Sequence, residues 1–505
     1  MKPFTDRHAD KIVGTLSCFD RVIITGTFPD LCHAGAMMRY LGARGIRFFD
    51  YPRFWEPARE ELRTHAERLA QEHGLEIEFI RRKDFRKEER IKAIVAQRGD
   101  HPGLVHIFSA MEPCASFRPW HDKPSGQTLL KPTQAKCLHY YFYFIDEVLG
   151  LCYLRVPTWA PFRLQCYFNG HNALALALGR EGIAYTLADN AFLACADWPR
   201  AQALAHTLDV RRLHRRLDRW AQRYCPVLRQ FPAGIHWSLM QVEYATDVVF
   251  REPAAFQPLY AALTRTAIHA IKADQVATFL GRKLTAAYQG EAGNDFSTRI
   301  QGTRIKHHMG PAAIKLYDKA GRLARVECTA NDVDFFQHHR TVEHRDGTRE
   351  FKLAPVRKTI YSLPVLRDLL RAATHRYLAF LAAIEDPTPG LRALEKIAAP
   401  VRAGERSYRG FNLFHGEDLT LFLALVRGEW TISGFQARQL RAHLPEGPAG
   451  RLSRSLKRLR THGLIKKIGG RYKYYLTTLG RTVAMAALKL RELVIIPALN
   501  APVPA

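Results

Sequence analysis

Hydrophobic and polar positions along the first 400 residues follow two periods. Short branched or aromatic runs mark strands at residues 21–25 (RVIIT), 76–80 (EIEFI), 105–108, 139–145 (HYYFYFI), 151–156 (LCYLRV) and 163–168 (RLQCYF). Apolar positions three and four apart mark helices between them. In residues 58–71 the shared face is Ala58, Leu62, Ala66 and Leu69; in residues 210–222 it is Leu213, Leu217 and Trp220. The second of these carries Arg211, Arg212, Arg215, Arg216 and Arg219 around the rest of its circumference, so it buries one side and offers a basic rim. Residues 81–90, 172–178, 200–208, 256–283 and 365–384 read as further helices. Alternating strand and helix signals predict an α/β multidomain protein.

Residues 109–133 are rich in Pro, Gly, Ser and charge, which predicts irregular structure and a first boundary. Residues 313–318 (AIKLYD) and 323–328 (LARVEC) flank a four-residue turn with Gly321 and predict a β-hairpin. The expected organisation is an α/β domain over 1–125, a mixed strand-helix central domain over 126–360, a helical connector over 361–410 and a terminal domain over 411–490. That mixed α/β body with a C-terminal winged helix is the fold expected.

The terminal block has one physical task per segment. An apolar helix begins at Glu417, Ser433 can cap a second, and residues 451–461 form a third, with Leu452, Leu456 and Leu459 inward and Arg451, Arg454, Lys457, Arg458 and Arg460 outward. Gly463 can end that helix, and residues 464–468 and 471–476 make two strands around Gly469 and Gly470. Lys466, Lys467, Arg471 and Lys473 then surround the tip of this wing. These segments resemble the winged-helix domains of MarR-type and related bacterial regulators over about 75 residues. The resemblance implies duplex-DNA contact by Arg454, Lys457 and Arg458, often in a homodimer, with the third helix reading bases and the wing holding phosphate.

Composition sharpens the choice of partner. The chain has 505 residues and a formal charge of +27, and residues 401–480 hold 15 Lys or Arg against five acidic residues. Such clustering favours a polyanion through counterion release, so DNA leads as partner and RNA follows. No uninterrupted apolar stretch has membrane-spanning length, which argues against a membrane. The opening residues lack a secretory signal, and the nine cysteines show neither paired spacing nor a CxxC motif, so a cytoplasmic setting is expected.

Candidate chemistry lies upstream. Arg304, Lys306, His307, His308, Lys315, Asp318, Arg325, Glu327, Asp332 and Asp334 fall within about thirty positions. If Asp318 and Glu327 meet across the hairpin they can share Mg²⁺, with His307 or His308 orienting water and Arg304 and Lys306 neutralising phosphate. An alternative is a solvated hairpin with ordinary cross-strand ion pairs. Glu243 and Asp247 form a second acidic pair, on one face if that segment is helical, with His236 two turns before. Asp20 at its strand end can join Glu112, or Glu243 and Asp247, in the manner of metal-dependent nuclease cores. The aromatics at 140–144 and 159–167 can stack on bases or simply fill a core.

Residues 314–327 (IKLYDKAGRLARVE) also resemble a segment of phage and plasmid replication proteins, through Tyr317, Lys319, Arg325 and Glu327. That resemblance implies a tyrosine nucleophile and two metal-holding histidines one residue apart. The pairs His307–His308 and His338–His339 are adjacent instead, which argues against a tyrosine nickase. The leading expectation is a DNA-binding protein of replication or a mobile element. A Mg²⁺-dependent endonuclease or recombinase, a structured-RNA-binding protein and a non-enzymatic transcriptional regulator are the alternatives.

Overall fold

Most of the alternating runs join one large sheet. A computed structural model describes the chain except residues 1, 83, 125, 285–289, 300–301, 386–391, 393–394, 413, 431–433, 469–471 and 497–505. The strands are β1 (Ile12–Thr27), β2 (Ile77–Phe79), β3 (Gly103–Asp122), β4 (Gln127–Asp146), β5 (Gly150–Pro157) and β6 (Leu164–Phe168). A small separate hairpin, β7 (Tyr185–Ala188) and β8 (Ala191–Cys195), precedes β9 (His236–Phe250), β10 (Ala292–Arg299), β11 (Gly302–Met309), β12 (Ala312–Lys319) and β13 (Leu323–Ala330). The eleven-stranded order is β10-β11-β12-β13-β9-β1-β6-β5-β4-β3-β2, and among the described residues only the β2–β3 pair is parallel. A second separate hairpin is formed by β14 (Gln337–Glu343) and β15 (Arg349–Pro355).

One face of the sheet carries the main core. Val22, Ile24, Phe142, Phe144, Leu154 and Phe168 pack with the helices Tyr51–Glu72 and Val210–Tyr224. At the other end Ile305, Ile314, Leu316, Val326 and Cys328 join the same core with the helix Leu363–Glu385. Each such side chain, fully buried, contributes about 1.5–3 kcal/mol. The opposite face is covered only in part. The helix Lys87–Arg98 lies over Tyr141, Tyr143 and Tyr153, and the helices Gly170–Arg180 and Trp198–Ala205 lie over Leu16. Polar residues hold the stretch between these covers.

Two expectations change here. Residues 109–133 are not irregular, because β3 and β4 run antiparallel for twenty residues each and continue past the end of β5 as a two-stranded ribbon. Pro113, Pro119 and Pro132 are tolerated because each strand there has a single partner and a free edge. The expected boundary at 125 lies inside one unit, since the chain divides into Met1–Glu385 and Asp386–Ala505. The segment holding Glu243 and Asp247, read as helical, is strand β9.

In the C-terminal unit a helical turn over residues 395–398 precedes hairpin β16 (Val401–Ala403) and β17 (Arg406–Tyr408). There follow the helix Gly416–Leu425, strand β18 (Phe435–Gln436), the helices Ala437–Arg441 and Ala449–Thr461, strands β19 (Ile465–Ile468) and β20 (Lys473–Leu476), and the helix Thr478–Leu490. The strands pair in the order β18-β20-β19 around a core that includes Phe422, Phe435, Leu440, Leu456, Leu459 and Leu464. Gly463 ends the third helix with φ +73, where a side chain would be strained. Ser433, Gly469, Gly470 and Arg471 lie outside the described residues. Among the described residues no helix is long and apolar enough to cross a membrane.

Candidate metal centre

The pleat decides which polar residues can meet. Pairing of Lys315 with Glu327, of Tyr317 with Arg325, and of Arg325 with Asp247 puts these side chains on the less covered face. Glu243 lies on that face of β9, two residues from Ala245, the partner of Glu327. Next to β9, strand β1 carries Asp20 at an irregularity between Phe19 and Val22. Asp20, Glu243 and Glu327 converge, and one oxygen from each lies within 4.8 Å of the others. Sequence separation hid this arrangement, because its three members sit on strands that are neighbours only in the folded sheet.

Each carboxylate is held by named partners. Glu327 accepts from Lys315 Nζ at 2.5 Å and Thr329 Oγ1 at 3.2 Å through Oε1, and from the Tyr317 hydroxyl at 2.7 Å through Oε2. Lys315 Nζ also stands 3.6 Å from Glu243, which accepts from Gln241 at 3.1 Å. Asp20 accepts from Asn169 Nδ2 at 3.0 Å and from Asn190, and faces His171 Nδ1 and Arg325, each at 3.5 Å. Asn169 caps the helix Gly170–Arg180 and so aims His171 at the cluster. Gly170 permits that approach: a Cβ there would lie 2.3 Å from the Phe19 carbonyl oxygen.

Fixed cations surround the carboxylates. Arg325 is wholly buried and grips Asp247 through Nε and Nη2, both at 2.7 Å. Asp20, Glu243, Asp247 and Glu327 face Lys315 and Arg325, with Lys319 acting on Asp20 and Arg21 on Glu243. Burial alone would raise Asp20, but His171 and Arg325 outweigh it and hold the carboxyl well below its ordinary range. Burial and then the neighbouring Glu327 charge raise Glu243. Burial disfavours the Lys315 ammonium, yet Glu327 and Glu243 keep its pKa above the ordinary lysine value. An all-oxygen donor set suits a hard divalent cation and not the nitrogen and sulfur ligation typical of zinc.

Several expected partners lie elsewhere. Asp318 alternates to the core face, where Gln257 donates to it at 2.7 Å, so it does not share an ion with Glu327. Burial raises its pKa. His307 is on that face too, buried between Asn294 Oδ1 at 2.7 Å and the Tyr377 hydroxyl at 3.0 Å, with burial lowering its pKa to about 4. It cannot orient water at Glu327. Asp247, by contrast, reaches the site but is committed to Arg325. Arg304 and Lys306 lie on β11, and Lys306 is register partner to Lys315 on the site face. Asp332 and Asp334 pair with Lys358, while Glu112 binds Tyr141 and Arg155 on a different part of the sheet. Tyr140–Phe144 are buried, as expected of core aromatics. Lys315 completes the site at Glu243 and Glu327, and Asn190, Asn169 and His171 complete it at Asp20, from which they are remote in sequence.

In the C-terminal unit the expected cations separate into two kinds. Arg454, Lys457, Lys466 and Lys467 are exposed, Lys473 is half-buried, and Arg471 lies outside the described residues. Arg458 turns inward instead, donating to Asp418 at 2.7 and 2.9 Å and lying 3.8 Å over the Phe411 ring. It holds the fold of this unit. Set against known proteins, the chain matches no family model, no curated protein and no solved structure.

Proposed function

We propose that the chain binds nucleic acid, duplex DNA first, and cleaves or transfers a phosphodiester with a divalent metal, in the service of replication or a mobile element. The observation that carries the catalytic half is the convergence of Asp20, Glu243 and Glu327 beneath Lys315. The sequence of helix, short strand, two helices, hairpin and helix, with cations exposed on the third helix and hairpin, supports the winged-helix reading of residues 416–490. Asp20, Glu243 and Glu327 would hold Mg²⁺, which when bound neutralises charge on a phosphate and acidifies an attacking hydroxyl. Lys315, with Arg304 and Lys306 beside it, offers positive charge to the phosphate. Arg325 fixes Asp247 by two short bonds and, after His171, helps hold Asp20 ionised.

One contact favours a covalent form of this reading: Tyr317 donates to Glu327 at 2.7 Å. Burial and then the Glu327 charge push the phenol well above its ordinary value, so it stays protonated until a base accepts its proton. Attack by the tyrosyl oxygen forms an O–P bond and breaks the bond from phosphorus to one sugar oxygen. Glu327 takes the phenolic proton, and the departing sugar oxygen leaves as a hydroxyl by taking a proton from solvent water. Here carboxylates would replace the histidine pair as metal ligands.

A Mg²⁺- and Mn²⁺-dependent cleavage assay on supercoiled and linear DNA tests both forms. E327Q should lose cleavage at least a hundredfold, and unchanged cleavage removes Glu327 from the chemistry. Y317F should abolish a covalent protein–DNA adduct; cleavage retained without any adduct leaves water as nucleophile. DNA binding with no metal-dependent cleavage would leave the regulator reading, and preference for structured RNA in competition would overturn DNA as the partner.

A further inference from the structure

A groove of about 1520 Å³ runs along the third helix of the C-terminal unit, bounded by Arg406–Arg409 on one side and by residues of Gly416–Leu425 and Ala449–Thr461 on the other. Seven cationic and three acidic side chains line it. Glu417 and Asp418 are already occupied, by Arg409 and Arg451 and by Arg458 respectively. Arg406, Arg441, Arg454 and Lys457 make no ion pair among the described residues, and all four are exposed. Hairpin β16–β17 thus stands as a second basic wall facing the helix. The volume exceeds the roughly 300–1,000 Å³ typical of small-molecule sites, which favours an extended ligand.

We propose that this groove grips one phosphodiester backbone of the bound nucleic acid, an inference that rests on the nucleic-acid reading above and adds Arg406 and Arg441 to it. Guanidinium groups match phosphate oxygens in pairs, and placing them on both walls fixes the lateral position of a backbone as well as attracting it. Ser453, also in the lining, offers a hydroxyl donor between the charges. The hairpin therefore serves as a clamp beside the helix rather than as a linker.

The test uses the full chain and fluorescence anisotropy with a labelled 20-base-pair duplex over a salt series. R406A/R441A should bind at least tenfold more weakly, and the slope of log affinity against log salt should fall by about 1.8, or 0.9 for each phosphate no longer neutralised. R406K/R441K should keep the parent's salt slope while binding more weakly than the parent and more tightly than R406A/R441A, which separates charge from folding. R402A removes an exposed cation of the same hairpin outside the groove lining and should change affinity less than twofold. If R406A/R441A binds like the parent while R454A or K466A/K467A binds weakly, the groove is not a backbone site although the nucleic-acid reading stands. A parent chain with no salt-dependent duplex binding sinks both.

Discussion

The centre of the large sheet and the surface of the C-terminal unit use arginine in opposite ways. Arg325 is out of contact with water and fastened to Asp247 by two short bonds, with Asp20 nearby. Arg454 and Lys457 stand exposed without a carboxylate among the described residues. In the low-dielectric interior an ion pair is strong but brittle, because removal of either partner leaves an uncompensated charge. At the surface a cation makes little difference to the fold and remains available to an outside anion. Total charge therefore says little about role; the pairing of each cation does. Arg458 shows this within the terminal unit, since it belongs to the helix of Arg454 but behaves like Arg325.

The comparison predicts a graded series of effects on stability. Arg325→Met should cost about 3–5 kcal/mol by urea unfolding, as expected when a buried pair is stripped of one member. Adding Asp247→Leu should recover most of that stability. A small effect of the single change would show that water or rearrangement already reaches the sheet centre, and the contrast with the surface would collapse.

Next in size is the inward-turned pair of the terminal unit. Arg458→Ala should lower the stability of that unit by about 2 kcal/mol, the scale of a charge-assisted hydrogen bond. Burial would raise Asp418, but the bonds from Arg458 and the Asn412 amide hold its pKa below the ordinary aspartate value. A carboxyl depressed on folding contributes stability fully above its unfolded pKa, near 4, and that contribution fades as pH falls through the lower folded value. Melting of this unit should therefore decline below about pH 4, and Asp418→Asn should flatten that decline. An equal acid slope in both proteins would assign the effect to other groups.

What the sequence made legible follows the range of the interactions involved. Helix and strand periods located the third helix and the wing strands of the terminal unit, because Leu452, Leu456 and Leu459 repeat within one helix and Gly463 follows it, whereas hairpin β16–β17, strand β18 and the helix Thr478–Leu490 were not read. The hairpin β12–β13 was equally local. Its chemistry was half legible: Glu327 was identified with the wrong partner, because Asp318 lies on the opposite pleat and period two alone would have separated them. Asp20 and Glu243 are remote in sequence, yet β1 and β9 run side by side, and the Val22–Val242 register sets the two carboxylates on adjacent strands. No local pattern reports that adjacency. Arg458 was misplaced for a related reason, since Asp418 lies forty residues earlier and nothing in the third helix announces it.

A smaller effect tests the acid cluster without dismantling it. Glu243 is raised by burial and by Glu327, so Glu243→Gln should leave the metal-free body unchanged or stabilise it by up to about 1 kcal/mol, through relief of desolvation and like-charge repulsion. The same substitution should remove most of the stabilisation by Mn²⁺. A site binding one ion gains about 2.7 kcal/mol at a hundred times its Kd, which appears as a rise in melting temperature. If the parent and Glu243→Gln proteins gain equally from Mn²⁺, the carboxylates do not form the ion's shell.

The smallest expected change in folding is the most informative about binding. Lys466 and Lys467 are exposed on β19, and Lys467 lies 4.5 Å over the Tyr472 ring. Their joint replacement by Ala should move unfolding by less than about 0.5 kcal/mol, as for other surface sites. If each neutralises one phosphate, the salt slope of duplex binding should fall by about 1.8. The two measurements must diverge for the contrast between the units to hold: Arg325→Met changes stability first and binding only through unfolding, whereas the lysine pair changes binding alone. A lysine pair that alters unfolding but not the salt slope would make β19 part of the structural charge network, placing it with Arg458 rather than with Arg454.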